Sequence, residues 1–138
     1  MPVRGGGSVL KLVIIDDSPD IRTLVGMQIR TSPDFEVSAE GGTAAAAVEL
    51  SRQLRPDVLL LDLSLPDMDG LEALPLILQA SPATRVVLYS GYAAHEFAAR
   101  ARELGAAGCL EKSLGPRPFA QRLADALATA PTLPVPRS

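Results

Sequence analysis

The chain has 138 residues, of which 47% are hydrophobic and 21% are charged, and its formal net charge is −3. These values fit one globular domain and exclude a disordered chain, a membrane helix of about 20 unbroken apolar residues and a strongly basic nucleic-acid-binding surface. The lone cysteine, Cys109, cannot form an internal disulfide, and the N-terminus has no secretion signal. We therefore expect a soluble cytoplasmic protein without a direct nucleic-acid or membrane partner.

The predicted elements begin after a glycine-rich segment. Residues 1–8 are expected to be disordered, and the branched apolar run at 9–15 predicts a strand buried on both faces. Ser18 before Pro19 predicts a helix start, because serine caps exposed N–H groups and proline suits the first helical position. The further predicted strands lie at 35–39, 58–63, 85–89 and 108–111, and the predicted helices lie at about 19–30, 43–54, 71–80, 93–104 and 118–130.

Prolines mark two further features. Pro75 lies inside the third predicted helix, where its missing N–H predicts a kink or a delayed helix start. Residues 131–138 contain three prolines and no apolar period, which is typical of a tail or the stub of a linker. The folded domain is therefore expected to span residues 9–130.

Strands and helices alternate along the whole predicted domain. Five strands with connections long enough for crossovers predict an α/β fold: a doubly wound parallel sheet with helices on both faces. In such a sheet, ligands bind at the carboxyl ends of the strands. Polar residues at the strand ends are therefore the candidates for function.

Four of the predicted strands end beside side chains suited to phosphoryl chemistry. Three carboxylates with one ammonium group suit Mg²⁺, which prefers oxygen ligands. The carboxylate at the end of the central strand could act as a nucleophile and form an aspartyl phosphate, while the ammonium and hydroxyl groups bind its oxygens. In chain order, these residues are Asp16, Asp17, Asp62, Ser90 and Lys112.

Each of these residues also has a structural explanation. The pair Asp16 and Asp17 could simply place negative charge at a helix N-terminus, and Lys112 and Ser90 taken singly could be ordinary surface and turn residues. A purely structural role is harder to accept for Asp62, because desolvating a carboxylate after an apolar run is costly unless it is paired. The specific signal is the joint occurrence of these residues at successive strand ends.

Four sequence blocks resemble, in order and spacing, the motifs of response-regulator receiver domains. The resemblance covers roughly residues 9–130, and it implies a flavodoxin-like sheet with the strand order 2-1-3-4-5. It also implies a bacterial two-component signalling protein. The blocks are IIDDSPDIR, LLLDLSLPDMDGLEAL, VVLYSGY and GAAGCLEKS.

The resemblance assigns a role to each candidate residue. It implies that Asp62 is the phosphoacceptor, that Lys112 binds the phosphoryl group and that Ser90 is the switch hydroxyl. It further implies a Mg²⁺ site, with Mn²⁺ as a substitute ion. The implied metal-binding residues are Asp17 directly, Asp16 through water, Asp62 itself and the backbone carbonyl of Ser64.

The chain departs from the family pattern at two positions. Cys109 stands where the family usually has a tyrosine or phenylalanine that moves on activation, and Ser113 stands where proline commonly follows the lysine. Tyr92 is predicted to take part of the aromatic role or to limit the access of water. Cys109 is interpreted as a small buried residue that modulates the switch and not as a redox sensor.

The implied function is phosphoryl transfer to Asp62 from a sensor histidine kinase or a histidine phosphotransfer protein. The protein would catalyse only its own phosphotransfer and slow dephosphorylation, and it would signal to a target or a second copy through the fourth helix, fifth strand and fifth helix. The alternative is a phosphorylation-independent receiver that acts as a binding module. A haloacid-dehalogenase-like phosphatase is disfavoured, because Ser64 occupies the position of its second aspartate.

Overall fold

The computed structural model describes residues 9–91, 96–112 and 117–129. The predicted disordered segment at 1–8, the predicted tail at 131–138, and the candidates Tyr92 and Ser113 lie outside these residues. The strands are β1 (Leu10–Ile15), β2 (Phe35–Gly41), β3 (Val58–Asp62), β4 (Arg85–Ser90) and β5 (Gly108–Glu111). The helices are α1 (Pro19–Arg30), α2 (Ala44–Leu54), α3 (Gly70–Ala80), α4 (Ala98–Glu103) and α5 (Phe119–Thr129).

The five strands form one parallel sheet in the order β2-β1-β3-β4-β5. This order confirms the predicted flavodoxin-like fold. β3 lies at the centre, and all five of its residues are buried. Because the strands are parallel, the carboxyl ends of β1, β3, β4 and β5 lie along the same edge of the sheet.

Apolar clusters fill both faces of the sheet. On one face, Leu59 and Leu61 of β3 pack with Ala47 of α2 and Leu74 of α3. On the other face, Leu60 belongs to a cluster that includes Val25 and Ile29 of α1 and Phe119 and Leu123 of α5. Alternate residues of one strand therefore pack on opposite faces of the sheet, which explains why β3 is buried and apolar on both faces.

Local signals account for several helix ends. The Ser18 hydroxyl accepts a hydrogen bond from the Ile21 N–H, with Pro19 at the start of α1, as predicted. Asp69 and Glu72 form a reciprocal capping box at the start of α3. Before Pro56, Arg55 takes the left-handed conformation with φ 45°, and α2 ends.

Several predicted boundaries were wrong. β2 continues to Gly41 because the Gly41 carbonyl accepts a hydrogen bond from the Asp16 N–H and keeps the strand paired with β1. Strand β3 ends at Asp62, where the chain turns, and α3 begins at Gly70. Helix α3 runs through Pro75 to Ala80, so the predicted delayed start did not occur.

The predicted start of the fourth helix, at residue 93, lies outside the described residues. In the described part of the chain, α4 begins at Ala98, after Phe97. The Phe97 backbone has φ −127° and ψ 3°, outside helical geometry, while its side chain packs into the core cluster of α2 and α3. Phe97, predicted to be helical, thus has a non-helical backbone while its ring is buried. Across 9–91, 96–112 and 117–129, every helix is too short or too polar to cross a membrane.

Candidate functional site

Asp16 follows β1 and is completely buried. One of its carboxylate oxygens, Oδ1, accepts a hydrogen bond from the Ser18 N–H at 2.8 Å. Its backbone carbonyl accepts a hydrogen bond from the Arg22 guanidinium at 2.6 Å, and that guanidinium also pairs with Glu40 of β2 at 3.5 Å. The loop between β1 and α1 is thus held by α1 and, through Glu40, by β2, while the neighbouring Asp17 is exposed to solvent.

Asp62 is the last residue of β3, and its side chain is 5% exposed. The Ser64 N–H donates to its Oδ1 oxygen at 3.2 Å, which orients the carboxylate toward the strand end. Burial raises the pKa of Asp62, and the negative charge of Asp16 raises it further, while Lys112 opposes both effects. The charged form of Asp62 is therefore stabilised by a neighbouring cation.

Lys112, just after β5, provides this neighbouring positive charge. Its ammonium Nζ lies 2.7 Å from Asp16 Oδ2 and 3.2 Å from Asp62 Oδ1. Burial lowers the pKa of Lys112, but the hydrogen bonds and charges of the two aspartates outweigh burial and raise the pKa overall. The lysine is therefore cationic at neutral pH and joins two carboxylates that are far apart in sequence.

The carboxylates of Asp16, Asp17 and Asp62 converge. Each offers an oxygen, and these oxygens lie within 4.8 Å of one another. An all-oxygen donor set with one exposed member fits a hard divalent cation that keeps some of its water ligands. The predicted grouping is therefore present, and these residues could hold a metal ion.

The structure places the other candidate residues around this cluster. Ser90 ends β4, is 2% exposed, and its carbonyl accepts a hydrogen bond from the Lys112 N–H at 2.8 Å. Ser64 is exposed and forms a bridge with Asp69 in the loop after β3. Cys109 lies in β5, half-buried beside the core, and burial raises the pKa of its thiol. That direction disfavours the reactive thiolate and fits the interpretation of Cys109 as a small packing residue.

Three residues near the site were not identified from the sequence. Arg22 fixes the Asp16 loop, as described above. Asp67 accepts hydrogen bonds from the Ala44 and Ala45 N–H groups at 2.9 and 3.0 Å, tying the loop after β3 to the start of α2. Tyr89 is a fully buried residue of β4 whose ring lies 5.0 Å from the Lys112 ammonium. No sequence motif signals these contacts, because each joins segments that only the fold brings together.

The arrangement can bind a divalent cation and stabilise added negative charge. The exposed Asp17 gives an ion access to the cluster, and Lys112 can neutralise charge that develops at Asp62. Helix α1 and the loop after β3 hold two of the aspartates by backbone hydrogen bonds. The site therefore has the parts needed to transfer or bind a phosphoryl group.

Comparisons with known proteins agree with this geometry. A family model described as the response regulator receiver domain matches residues 12–124. The nitrate/nitrite response regulator NarL of Escherichia coli is 36% identical over 117 residues, which cover 85% of this chain and 54% of NarL. The chemotaxis protein CheY of Listeria monocytogenes is 36% identical over 123 residues, covering 88% of this chain and 98% of CheY. The chain thus spans about half the length of NarL and almost the full length of CheY.

Solved structures are similar as well. A two-component response regulator of the LuxR family from Aurantimonas sp. superposes with a TM-score of 0.80 and 33% identity, over 88% of this chain and 86% of that one. The response regulator domain of CheB from Thermotoga maritima gives a TM-score of 0.74 and 29% identity, over 89% and 96% of the two chains.

Proposed function

Since the chain belongs to the response regulator receiver family of two-component systems, we propose that it is a switch that accepts a phosphoryl group on Asp62. One observation carries the proposal. The Lys112 ammonium contacts both the buried Asp16 and the strand-end Asp62, beside a third carboxylate, Asp17. A purely structural ion pair would not need this third, exposed carboxylate within 4.8 Å of the other two.

The donor is proposed to be the phosphohistidine of a sensor kinase or of a histidine phosphotransfer protein. An Asp62 carboxylate oxygen attacks phosphorus in line, and the bond between phosphorus and the histidine nitrogen breaks. The electron pair of that bond stays on the nitrogen, and the new acyl phosphate remains on the aspartate. Lys112 neutralises charge on the equatorial oxygens during this transfer.

The metal is proposed to be Mg²⁺, with Mn²⁺ as a substitute. Asp17 and Asp62 would hold it directly, Asp16 through water, and Ser64 through its backbone carbonyl. When bound, the ion would supply positive charge that lowers the barrier to phosphoryl transfer. The oxygen donors of the aspartate cluster suit either ion.

The response to phosphorylation is proposed to pass through Ser90. The buried Ser90 hydroxyl would move to bind the phosphoryl group, and its carbonyl already holds the start of the Lys112 loop. Movement there would change the surface formed by α4, β5 and α5, where a target protein or a second copy would bind. Tyr92 and Cys109 would modulate the change. A kinase partner would meet this chain in the cytoplasm, where we expect it to act.

The proposed activity is signalling and not turnover of an external substrate. The chain would catalyse its own phosphorylation and slow dephosphorylation. A second candidate is a receiver that binds its partner without phosphorylation, and one observation favours it: Cys109, in place of an aromatic, packs against the core instead of forming a mobile ring. In that case Asp62 would remain unmodified under all conditions.

Incubation with Mg²⁺ and acetyl phosphate, followed by intact-mass measurement, tests the proposal. We expect the wild-type chain to gain the mass of one phosphoryl group, and expect Asp62→Asn and chelation of the metal to abolish the gain. Asp57→Asn is the matched control, because Asp57 directly precedes β3 at the end opposite Asp62 and should leave the gain intact. An unchanged mass in the folded wild-type protein would favour the second candidate.

A further inference from the structure

Tyr89 is a buried phenol directly beneath the proposed phosphorylation site. It lies in β4 opposite Asp62 of β3, and its carbonyl accepts a hydrogen bond from the Leu63 N–H at 3.2 Å. The residue has no exposed surface. None of the roles assigned above uses its side chain, although it is the largest fully buried residue in the described chain.

The ring of Tyr89 supports the lysine. Lys112 Nζ lies 5.0 Å from the ring centroid, within the range in which a cation is attracted to an aromatic face. The Tyr89 ring also packs edge-to-face against the Phe119 ring of α5, with centroids 6.2 Å apart and an interplanar angle of 60°. This packing holds the ring in place beneath the ammonium group.

The hydroxyl group of Tyr89 is buried and has no hydrogen-bond partner among the described residues. Burial raises the pKa of Tyr89, and the charges of Asp16 and Asp62 raise it further, so the phenol keeps its proton. It is therefore a buried donor without a hydrogen-bond acceptor among the described residues. Such a group is costly unless another state of the molecule uses it.

One buried oxygen of Asp16 depends on Lys112 for its stabilisation. Its Oδ2 oxygen faces Lys112 at 2.7 Å, and the whole residue is buried. If Lys112 turns toward a phosphoryl group on Asp62, as the proposed function requires, this oxygen loses its direct contact with the ammonium group. A buried carboxylate oxygen then needs a donor besides any metal-bound water, and the buried Tyr89 hydroxyl, which lacks a partner among the described residues, can supply one.

We propose that Tyr89 is a positioning residue for Lys112. Its ring face holds the ammonium group between Asp16 and Asp62, and its hydroxyl donates to Asp16 when Lys112 moves to the phosphoryl group. The second part rests on the proposed function, whereas the first part does not.

The first part is tested by NMR on the full chain without a phosphodonor. Protons beside the Lys112 ammonium should be shifted upfield by the ring current in the wild type and in Tyr89→Phe, which keeps the ring. The shift should be lost in Tyr89→Leu. Equal shifts in all three proteins would overturn the ring contact, whether or not the chain can be phosphorylated.

The second part is tested by the rate of phosphorylation with acetyl phosphate and Mg²⁺. Tyr89→Phe removes only the hydroxyl, so we expect the maximal rate to fall at least about threefold while the half-saturating donor concentration stays the same. A general loss of structure would change both values and lower the unfolding temperature. An unchanged maximal rate would overturn the role of the hydroxyl.

A double-mutant cycle separates positioning from packing. Tyr89→Leu should slow phosphorylation at least about fivefold in the wild-type background but have little effect when Lys112 is already alanine. Equal slowing in both backgrounds would mean that Tyr89 does not act through Lys112. Should Tyr89→Leu fail to fold, Tyr89→Met, whose flexible side chain can fill the space without a ring, replaces it in the cycle and in the NMR test. Absence of phosphorylation in the wild type would defeat the proposed function and leave the NMR result to decide the ring contact.

Discussion

A Cβ atom on Gly70 would lie 2.5 Å from the backbone carbonyl oxygen of Asp62. The Gly70 N–H also donates to the Leu63 carbonyl at 2.6 Å, so the loop after β3 returns directly against the strand end that carries the proposed phosphoacceptor. The first residue of α3 must therefore lack a side chain, because any other residue would push the loop away from Asp62.

Substituting Gly70 by alanine should destabilise the protein. We expect Gly70→Ala to lower the free energy of unfolding by about 1–3 kcal/mol, the usual cost of forcing an extra methyl group into a packed site. Urea unfolding measures the change. Gly91→Ala is the control, because nothing lies within 4 Å of its added Cβ, and a loss of equal size there would contradict the contact explanation.

Removing the Asp67 carboxylate should destabilise the start of α2 in a pH-dependent manner. Hydrogen bonds from Ala44 and Ala45 lower the pKa of Asp67. Because its pKa is lower in the folded state, the carboxylate stabilises the fold above its unfolded pKa, and this contribution disappears as the pH falls through the folded pKa. At neutral pH we expect Asp67→Ala to be less stable than Asp67→Asn, and both to be less stable than the wild type.

Urea unfolding at a series of pH values checks this prediction. The difference between the wild type and Asp67→Asn should close at acid pH, because the protonated aspartic acid and the asparagine are then both neutral acceptors. A difference that stays constant across the pH range would mean that the charge of Asp67 does not contribute.

Mg²⁺ should stabilise the chain by binding the aspartate cluster. A ligand that binds only the folded state contributes about 2.7 kcal/mol when its concentration is 100 times its dissociation constant. Asp17→Asn removes the exposed carboxylate of the cluster and should weaken binding by roughly 10- to 100-fold, the range seen even for outer groups of metal sites. Isothermal calorimetry measures the affinity, and Asp20→Asn, an exposed aspartate in the first turn of α1, should leave it unchanged.

Lys112 should matter most when no metal is present. Lys112→Met leaves the Asp16 and Asp62 carboxylates without their shared cation, so we expect a loss of stability below the ~3–5 kcal/mol of a fully buried pair, since the lysine is 21% exposed. Added Mg²⁺ should restore more stability in this variant than it adds to the wild type.

The surface pair of Arg100 and Glu103 provides the control for Lys112. The two side chains are 66% and 70% exposed and lie 3.7 Å apart, so Arg100→Met should change the free energy of unfolding by only about 0–1 kcal/mol. Thermal or urea unfolding with and without Mg²⁺ measures both variants. A Lys112→Met protein as stable as the wild type in metal-free buffer would contradict the proposed electrostatic role.

Most of the fold could be predicted from the sequence. The apolar run of β3, the Ser18-Pro19 start of α1 and the order of the ten elements follow from local side-chain chemistry. Phe97 was predicted to be helical, but its backbone is not helical and its ring packs into the core. Strand β2 was predicted too short because its last residues are held by pairing with β1.

The candidate site, too, was only partly predictable from the sequence. The sequence alone predicted that Asp16, Asp17, Asp62, Ser90 and Lys112 lie together, because a parallel sheet must bring its strand ends to one edge. Only the tertiary structure could decide that the Lys112 ammonium joins two carboxylates, that Asp67 holds the start of α2 and that Tyr89 lies beneath the lysine. These contacts depend on angstrom-scale packing between segments far apart in the chain, and no local pattern of residues encodes such distances.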